Sequence, residues 1–138
     1  MDFFKKTFEL QHLKSNIVFI VEDDLFYGKT LQNFIARNCP EVEEVKVFSV
    51  GETCLLELNK NPDVIIIDYF LDTKHSNAAT GLEMIEKIRT QKPTINIILL
   101  SAREENEFLL DSAKKYNCSY IRKDEMAFAR VQEILKEI

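Results

Sequence analysis

Glu22, Asp23 and Asp24 follow directly on the apolar run Ile17 to Val21, and Asp68 follows Val64 to Ile67. Ser101 closes the run Ile97 to Leu100, and Lys123 closes Tyr120-Ile121-Arg122. Carboxylates from two such segments that meet in one cleft raise each other's pKa unless a cation sits between them. With oxygen donors and no neighbouring Cys or His, that cation is expected to be Mg²⁺, which takes one or two carboxylates and keeps several waters. An aspartate beside it can also attack a phosphoryl group and become an aspartyl phosphate. Mg²⁺ and the Lys123 ammonium would then neutralise the equatorial oxygens of an in-line transfer, and the Ser101 hydroxyl would donate a hydrogen bond to one of them.

These residues must be positioned by alternating strands and helices. Ile17-Val18-Phe19-Ile20-Val21 is a β-branched run of strand length, and Tyr27, Leu31, Phe34, Ile35 and Asn38 recur at helical spacing after it. Val45-Lys46-Val47 alternates like a half-buried strand, and Ser49 with Glu52 makes a capping box for a helix through Cys54, Leu55 and Leu58. Val64 to Ile67 is a strand apolar on both faces; Thr80 with Glu83 caps a helix carrying Met84, Ile85 and Ile88, which Pro93 ends. Ile95 to Leu100 contains a fourth strand, Phe108, Leu109, Ala113 and Tyr116 mark a fourth helix, and Tyr120-Ile121 a short fifth strand. A last helix, with Asp124 as N-cap, carries Ala127, Val131, Ile134, Leu135 and Ile138. Fully apolar strands separated by helices predict an α/β fold with a parallel sheet covered on both faces, and a site beyond the carboxyl ends of its strands. Residues 1–15 precede the first unit and are read as an N-terminal extension to a single domain of residues 16–138.

Composition narrows the function classes. With 46% hydrophobic residues and only three Gly and three Pro in 138 residues, the chain can bury a core and is not a low-complexity or collagen-like sequence. A formal net charge of −5 and no clustered Lys or Arg argue against direct nucleic-acid binding. Cys39, Cys54 and Cys118 have neither disulfide nor zinc spacing and are read as buried thiols in a reducing compartment. No run approaches the roughly 20 apolar residues that cross a bilayer, and residues 1–15 lack the order of a signal peptide, so the expected location is the cytoplasm with no membrane partner.

The segments Ile17 to Asp24, Asp63 to Asp68, Ile97 to Ala102 and Tyr120 to Lys123, in that order, resemble the receiver domains of two-component response regulators, especially the single-domain chemotaxis type. The resemblance runs from Asn16 to Ile138 and implies a flavodoxin-like fold with five parallel strands in the order 2-1-3-4-5. It makes Asp68 the phosphoacceptor, and Glu22 and Asp23 the acidic pair that holds Mg²⁺ directly or through water, with the backbone carbonyl of Phe70 as a further ligand. Ser101 becomes the switch hydroxyl, Lys123 the phosphate-pairing cation, and Tyr120 the aromatic whose rotamer follows Ser101. The implied partners are a histidine kinase or histidine phosphotransfer protein upstream and a protein target downstream, from a monomer or weak dimer. Weak self-phosphorylation and self-dephosphorylation are implied rather than turnover of an external substrate.

The match departs from the family in three places. The segment Tyr69 to Thr80 is long and lacks the proline commonly found shortly after the phosphoacceptor, with Asp72 in its place; Asp124 stands after Lys123 where many receivers have proline; and Phe70 and Arg103 flank the site. Simpler readings stand beside the functional ones. Glu22 to Asp24 also fits a solvated helix start, Ser101 with Glu104 a capping box, Lys123 a surface lysine, and Tyr120 a static core aromatic. His12 and His75 have no ligand spacing and read as surface residues, and the Asn117-Cys118-Ser119 sequon has no meaning in a cytoplasmic chain. The alternative function is a phosphorylation-independent pseudo-receiver that acts as a scaffold. A flavodoxin is disfavoured because Glu22, Asp23 and Asp24 would repel a phosphate, and an aspartate phosphatase because Phe70 stands where a second carboxylate is needed.

Overall fold

Five parallel strands form one sheet in the order β2-β1-β3-β4-β5. They are β1 (Asn16–Val21), β2 (Val42–Phe48), β3 (Val64–Asp68), β4 (Asn96–Ser101) and β5 (Ser119–Arg122). Between and after them run α1 (Leu25–Asn38), α2 (Gly51–Leu56) with a 3-10 turn Leu58–Lys60, α3 (Gly81–Gln91), α4 (Glu107–Lys115) and α5 (Ala127–Lys136). The structure, a computed structural model, describes residues 16–69, 71, 80–102 and 107–138. The proposed extension, residues 1–15, lies outside the described residues.

The two-residue period of a strand divides the core into two layers. Val18, Ile20, Val64, Ile66, Ile98 and Leu100 face one side and pack with Leu31 and Ile35 of α1 and Ala127, Val131 and Leu135 of α5. Phe19, Val21, Ile65, Ile67, Ile97 and Leu99 face the other and pack with α2, α3 and α4 through Cys54, Met84, Ile85, Ile88 and Leu109. Each isoleucine or leucine so buried contributes about 1.5–3 kcal/mol of transfer free energy, which is why these strands carry almost no polar residue before their last position. The expected architecture is therefore the observed one.

Local details correct four sequence expectations. Ser49 does not cap α2: Val50 occupies the N-cap in an extended conformation without a side-chain bond. Packing sets that start, since a Cβ on Gly51 would lie 2.4 Å from Met84 Sδ of α3. Asp124 is not the N-cap of α5, which begins after Met126; its carboxylate instead accepts Met126 N at 2.8 Å and Arg130 Nη1 at 3.3 Å, ordering the turn before the helix. In α1 the buried face is Gly28, Leu31 and Ile35, and Asn38 is exposed. Phe108 of α4 is 63% exposed, because Leu109, Ser112 and Ala113 take the buried stripe. By contrast Thr80 caps α3 as expected, its Oγ1 accepting Glu83 N at 3.1 Å. Cys39 and Cys54 are buried free thiols and Cys118 is half-buried; burial pushes the Cys54 thiol up to about 12.

Candidate functional site

Strand parity places the ionisable residues. Glu22 continues β1 by donating its backbone N–H to Phe48 O at 2.9 Å. It shares the parity of Val18 and Ile20, so its side chain turns toward α1 and α5. Asp68 shares the parity of Val64 and Ile66 at the end of β3, and Lys123 that of Ile121 just past β5. Ser101 and Tyr120 have the opposite parity, and Tyr120 packs half-buried against the α2, α3 and α4 layer.

The Lys123 ammonium donates a hydrogen bond to Glu22 Oε1 and lies 3.3 Å from Asp68 Oδ2. Its backbone N–H donates to Ser101 O at 2.7 Å, which ties the end of β5 to the end of β4. Glu22, Asp23 and Asp68 each present a ligand oxygen, and these atoms lie within 4.8 Å of one another. Glu22 is 1% exposed, Asp68 6% and Ser101 0%, while Asp23 is half-buried at the mouth. The backbone N–H of Asp24 donates to Glu22 Oε2 at 3.3 Å, and the Asp24 carboxylate caps α1 by accepting Tyr27 N at 3.1 Å. The helix-start reading and the site reading thus divide the acidic triplet between them.

Burial pushes the Glu22 carboxyl up to about 8, reinforced by its hydrogen bond to and charge repulsion from Asp68 and opposed by Lys123. Burial alone would lower Lys123, but its hydrogen bond to Glu22 and the charges of Asp68 and Glu22 outweigh that and raise it. Among the described residues one ammonium faces three carboxylates, so ionising all of them adds excess negative charge to a cleft of oxygen donors. That donor set fits a hard divalent cation such as Mg²⁺.

The sequence matches the family described as the response regulator receiver domain over residues 18–136. The chain belongs to this family. Solved structures agree on the fold of this receiver domain. The isolated REC domain of RcsB from Salmonella enterica serovar Typhimurium, in the presence of phosphomimetic BeF₃⁻, is similar with a TM-score of 0.74 and 17% identity over 89% of each chain. The chemotaxis protein CheY4 of Vibrio cholerae has a TM-score of 0.74 and 19% identity over 90% of this receiver and 98% of CheY4. The N-terminal domain of an uncharacterized protein from Wolinella succinogenes has a TM-score of 0.72 and 26% identity, covering 88% of this chain and 92% of that one. No curated protein matches the sequence at a significant level.

The receiver thus brings Glu22, Asp23, Asp68 and Lys123 into one cleft, with Ser101 at the end of the strand between those of Asp68 and Lys123. Phe70, Asp72, His75 and Arg103 lie outside the described residues. One residue at the site carries no role in the sequence reading beyond helix packing: Tyr27, whose ring centroid is 4.4 Å from Lys123 Nζ. The signal was its place in the first turn of α1, close behind the acidic triplet. Among the described residues no helix is long and apolar enough to cross a membrane.

Proposed function

We propose that this receiver accepts a phosphoryl group on Asp68 from a histidine kinase or histidine phosphotransfer protein in a Mg²⁺-dependent reaction, and signals to a protein partner through a conformational switch. The observation that carries the reading is the convergence of Glu22, Asp23 and Asp68 on one point with Lys123 paired across them. Glu22 and Asp23, directly or through water, together with Asp68, would hold Mg²⁺, which would supply positive charge to the phosphoryl oxygens. An Asp68 oxygen attacks the phosphorus in line, the phosphorus–nitrogen bond of the phosphohistidine breaks, and its electron pair stays on the imidazole, which takes up a proton. Lys123 pairs with the charge that arrives, and Ser101 donates a hydrogen bond to it, drawing Tyr120 inward. The added charge biases an existing equilibrium between two conformations.

The reading places the protein in the cytoplasm as a monomer or weak dimer that turns over no external substrate. A pseudo-receiver would leave the convergence of buried carboxylates without a reason. Intact mass after incubation with acetyl phosphate tests the proposal. A single phosphoryl adduct is expected that requires Mg²⁺, disappears with chelator, and is absent in Asp68→Asn. If no adduct forms and beryllofluoride with Mg²⁺ leaves the amide spectrum unchanged, the scaffold reading replaces it.

A further inference from the structure

Lysine is a compact charge on a flexible four-carbon stem, so placing its ammonium over a reaction centre requires something besides the charge it pairs with. In the resting cleft the Lys123 ammonium hydrogen-bonds to Glu22 and lies 3.3 Å from Asp68. The third group against the ammonium is uncharged: the Tyr27 ring, with its centroid 4.4 Å from Nζ. That distance lies within the range in which a ring face attracts a cation.

The ring is itself held. Phe128 of α5 meets Tyr27 edge-on, with centroids 5.6 Å apart and planes at 73°, and Phe128 also contacts Phe34 of α1 at 5.3 Å. On the neighbouring residue, a Cβ at Gly28 would come within 2.9 Å of Val47 Cγ1 and 3.6 Å of Glu22, so the first turn of α1 is seated tightly on β2 and the acidic cleft. The Tyr27 hydroxyl, although buried, has no hydrogen-bond partner among the described residues. The ring face, rather than the hydroxyl, is therefore the part of Tyr27 that acts on the site.

We infer that Tyr27 is the positioning residue of Lys123: its ring face, clamped by Phe128, holds the ammonium at a fixed height above Glu22 and Asp68. Charge added at Asp68 then needs only a short swing of an ammonium already in place. The ring also closes one side of the ammonium to water, which strengthens its attraction to anions in the cleft. This inference rests on the reading of Asp68 as phosphoacceptor.

The experiment compares wild type, Tyr27→Leu and Tyr27→Phe in three measurements: NMR shifts of the Lys123 ε-methylene protons, the rate of phosphoryl uptake from acetyl phosphate, and the affinity for Mg²⁺ alone. A ring face beside the ammonium moves the methylene protons upfield. Tyr27→Leu is expected to abolish that shift and slow uptake about tenfold while Mg²⁺ affinity stays at the wild-type value. Tyr27→Phe, which keeps the ring, is expected to restore both shift and rate. Uptake by Tyr27→Leu at the wild-type rate overturns the inference. So does equal slowing in Tyr27→Phe, which would assign the effect to the hydroxyl, and so does a fall in Mg²⁺ affinity in step with the rate, which would mean a general collapse of the cleft. If the amide spectrum shows that Tyr27→Leu is unfolded, Tyr27→Met and Phe128→Leu carry the same comparison. Absence of uptake by the wild type is a separate result: it overturns the Asp68 reading and this inference with it.

Discussion

The Lys123 ammonium lies 3.3 Å from the Asp68 carboxylate although β4 separates the strands that deliver them. Its backbone is fixed by the hydrogen bond from Lys123 N to Ser101 O, so the side chain reaches over the end of β4 from a rigid anchor. Replacing it removes the only cation the described residues bring to the three carboxylates. Lys123→Ala is expected to slow phosphoryl uptake by about 100-fold, read as the initial rate of mass-adduct formation. A change below about threefold would mean that Lys123 is only a structural partner of Glu22.

Glu22 makes the cleft pH-sensitive. Its folded value of about 8 stands above the ordinary 4.5, so the stability linked to it is complete below the ordinary value and is lost as pH rises through about 8. The Lys123 shift runs upward from 10.5, so its contribution is lost only above that range. A divalent cation bound by these carboxylates would offset the cost of ionising Glu22. The thermal midpoint without Mg²⁺ is expected to fall between about pH 6 and about pH 8.5, and added Mg²⁺ is expected to raise it more at the higher pH. Equal increments at both would contradict this account of Glu22.

Gly81 opens α3 against the backbone that follows Asp68. A Cβ there would sit 2.3 Å from Tyr69 O and 2.7 Å from Tyr69 Cα, and a backbone cannot swing aside as a side-chain tip can. Tyr69 is in turn fixed by its N–H to Leu100 O at 2.8 Å. Gly81→Ala is expected to cost about 1–3 kcal/mol, seen as a thermal midpoint lower by roughly 4–12 °C, and to slow phosphoryl uptake by displacing Asp68. A variant with the wild-type midpoint would show that α3 can retreat freely.

Arg89 joins three elements at the opposite end of the sheet from the cleft. Its guanidinium donates to Tyr116 O at 2.7 Å, Asn117 O at 3.0 Å and Ile95 O, linking α3 to the end of α4 and the entry to β4. Lysine cannot reproduce this fork of planar donors. Arg89→Lys and Arg89→Ala are both expected to lose about 2–4 kcal/mol in urea unfolding, with phosphoryl uptake per folded molecule unchanged. A loss confined to Arg89→Ala would show that one bond carries the effect.

Much of this architecture was legible in the residues because it depends on local period. The alternation in Val64 to Ile67 and Ile97 to Leu100 commits each side chain to a face before any contact is known. The same parity, counted two residues on from Ile20, Ile66 and Ile121, aims Glu22, Asp68 and Lys123 to one side of the sheet. Thr80 was legible as a cap because an N-cap is satisfied within one turn of chain.

What failed to show in the sequence depends on how separate elements dock. Ser49 and Asp124 have the right types and spacings for caps, yet Gly51 starts α2 where Met84 of α3 lets it, and Asp124 spends its carboxylate on the turn before α5. Tyr27 reads as one more apolar position of an amphipathic helix until α5 brings Phe128 against it and β5 delivers Lys123 over its face. The sequence by itself determined which residues stand at the strand ends and which side of the sheet they face, since backbone hydrogen bonding imposes those periods on any chain. Only the tertiary structure decided that Lys123 bridges Glu22 and Asp68, that the Tyr27 ring lies against it, and that Arg89 ties α3 to α4, because each of those contacts exists only when residues far apart in the chain are packed at fixed distances.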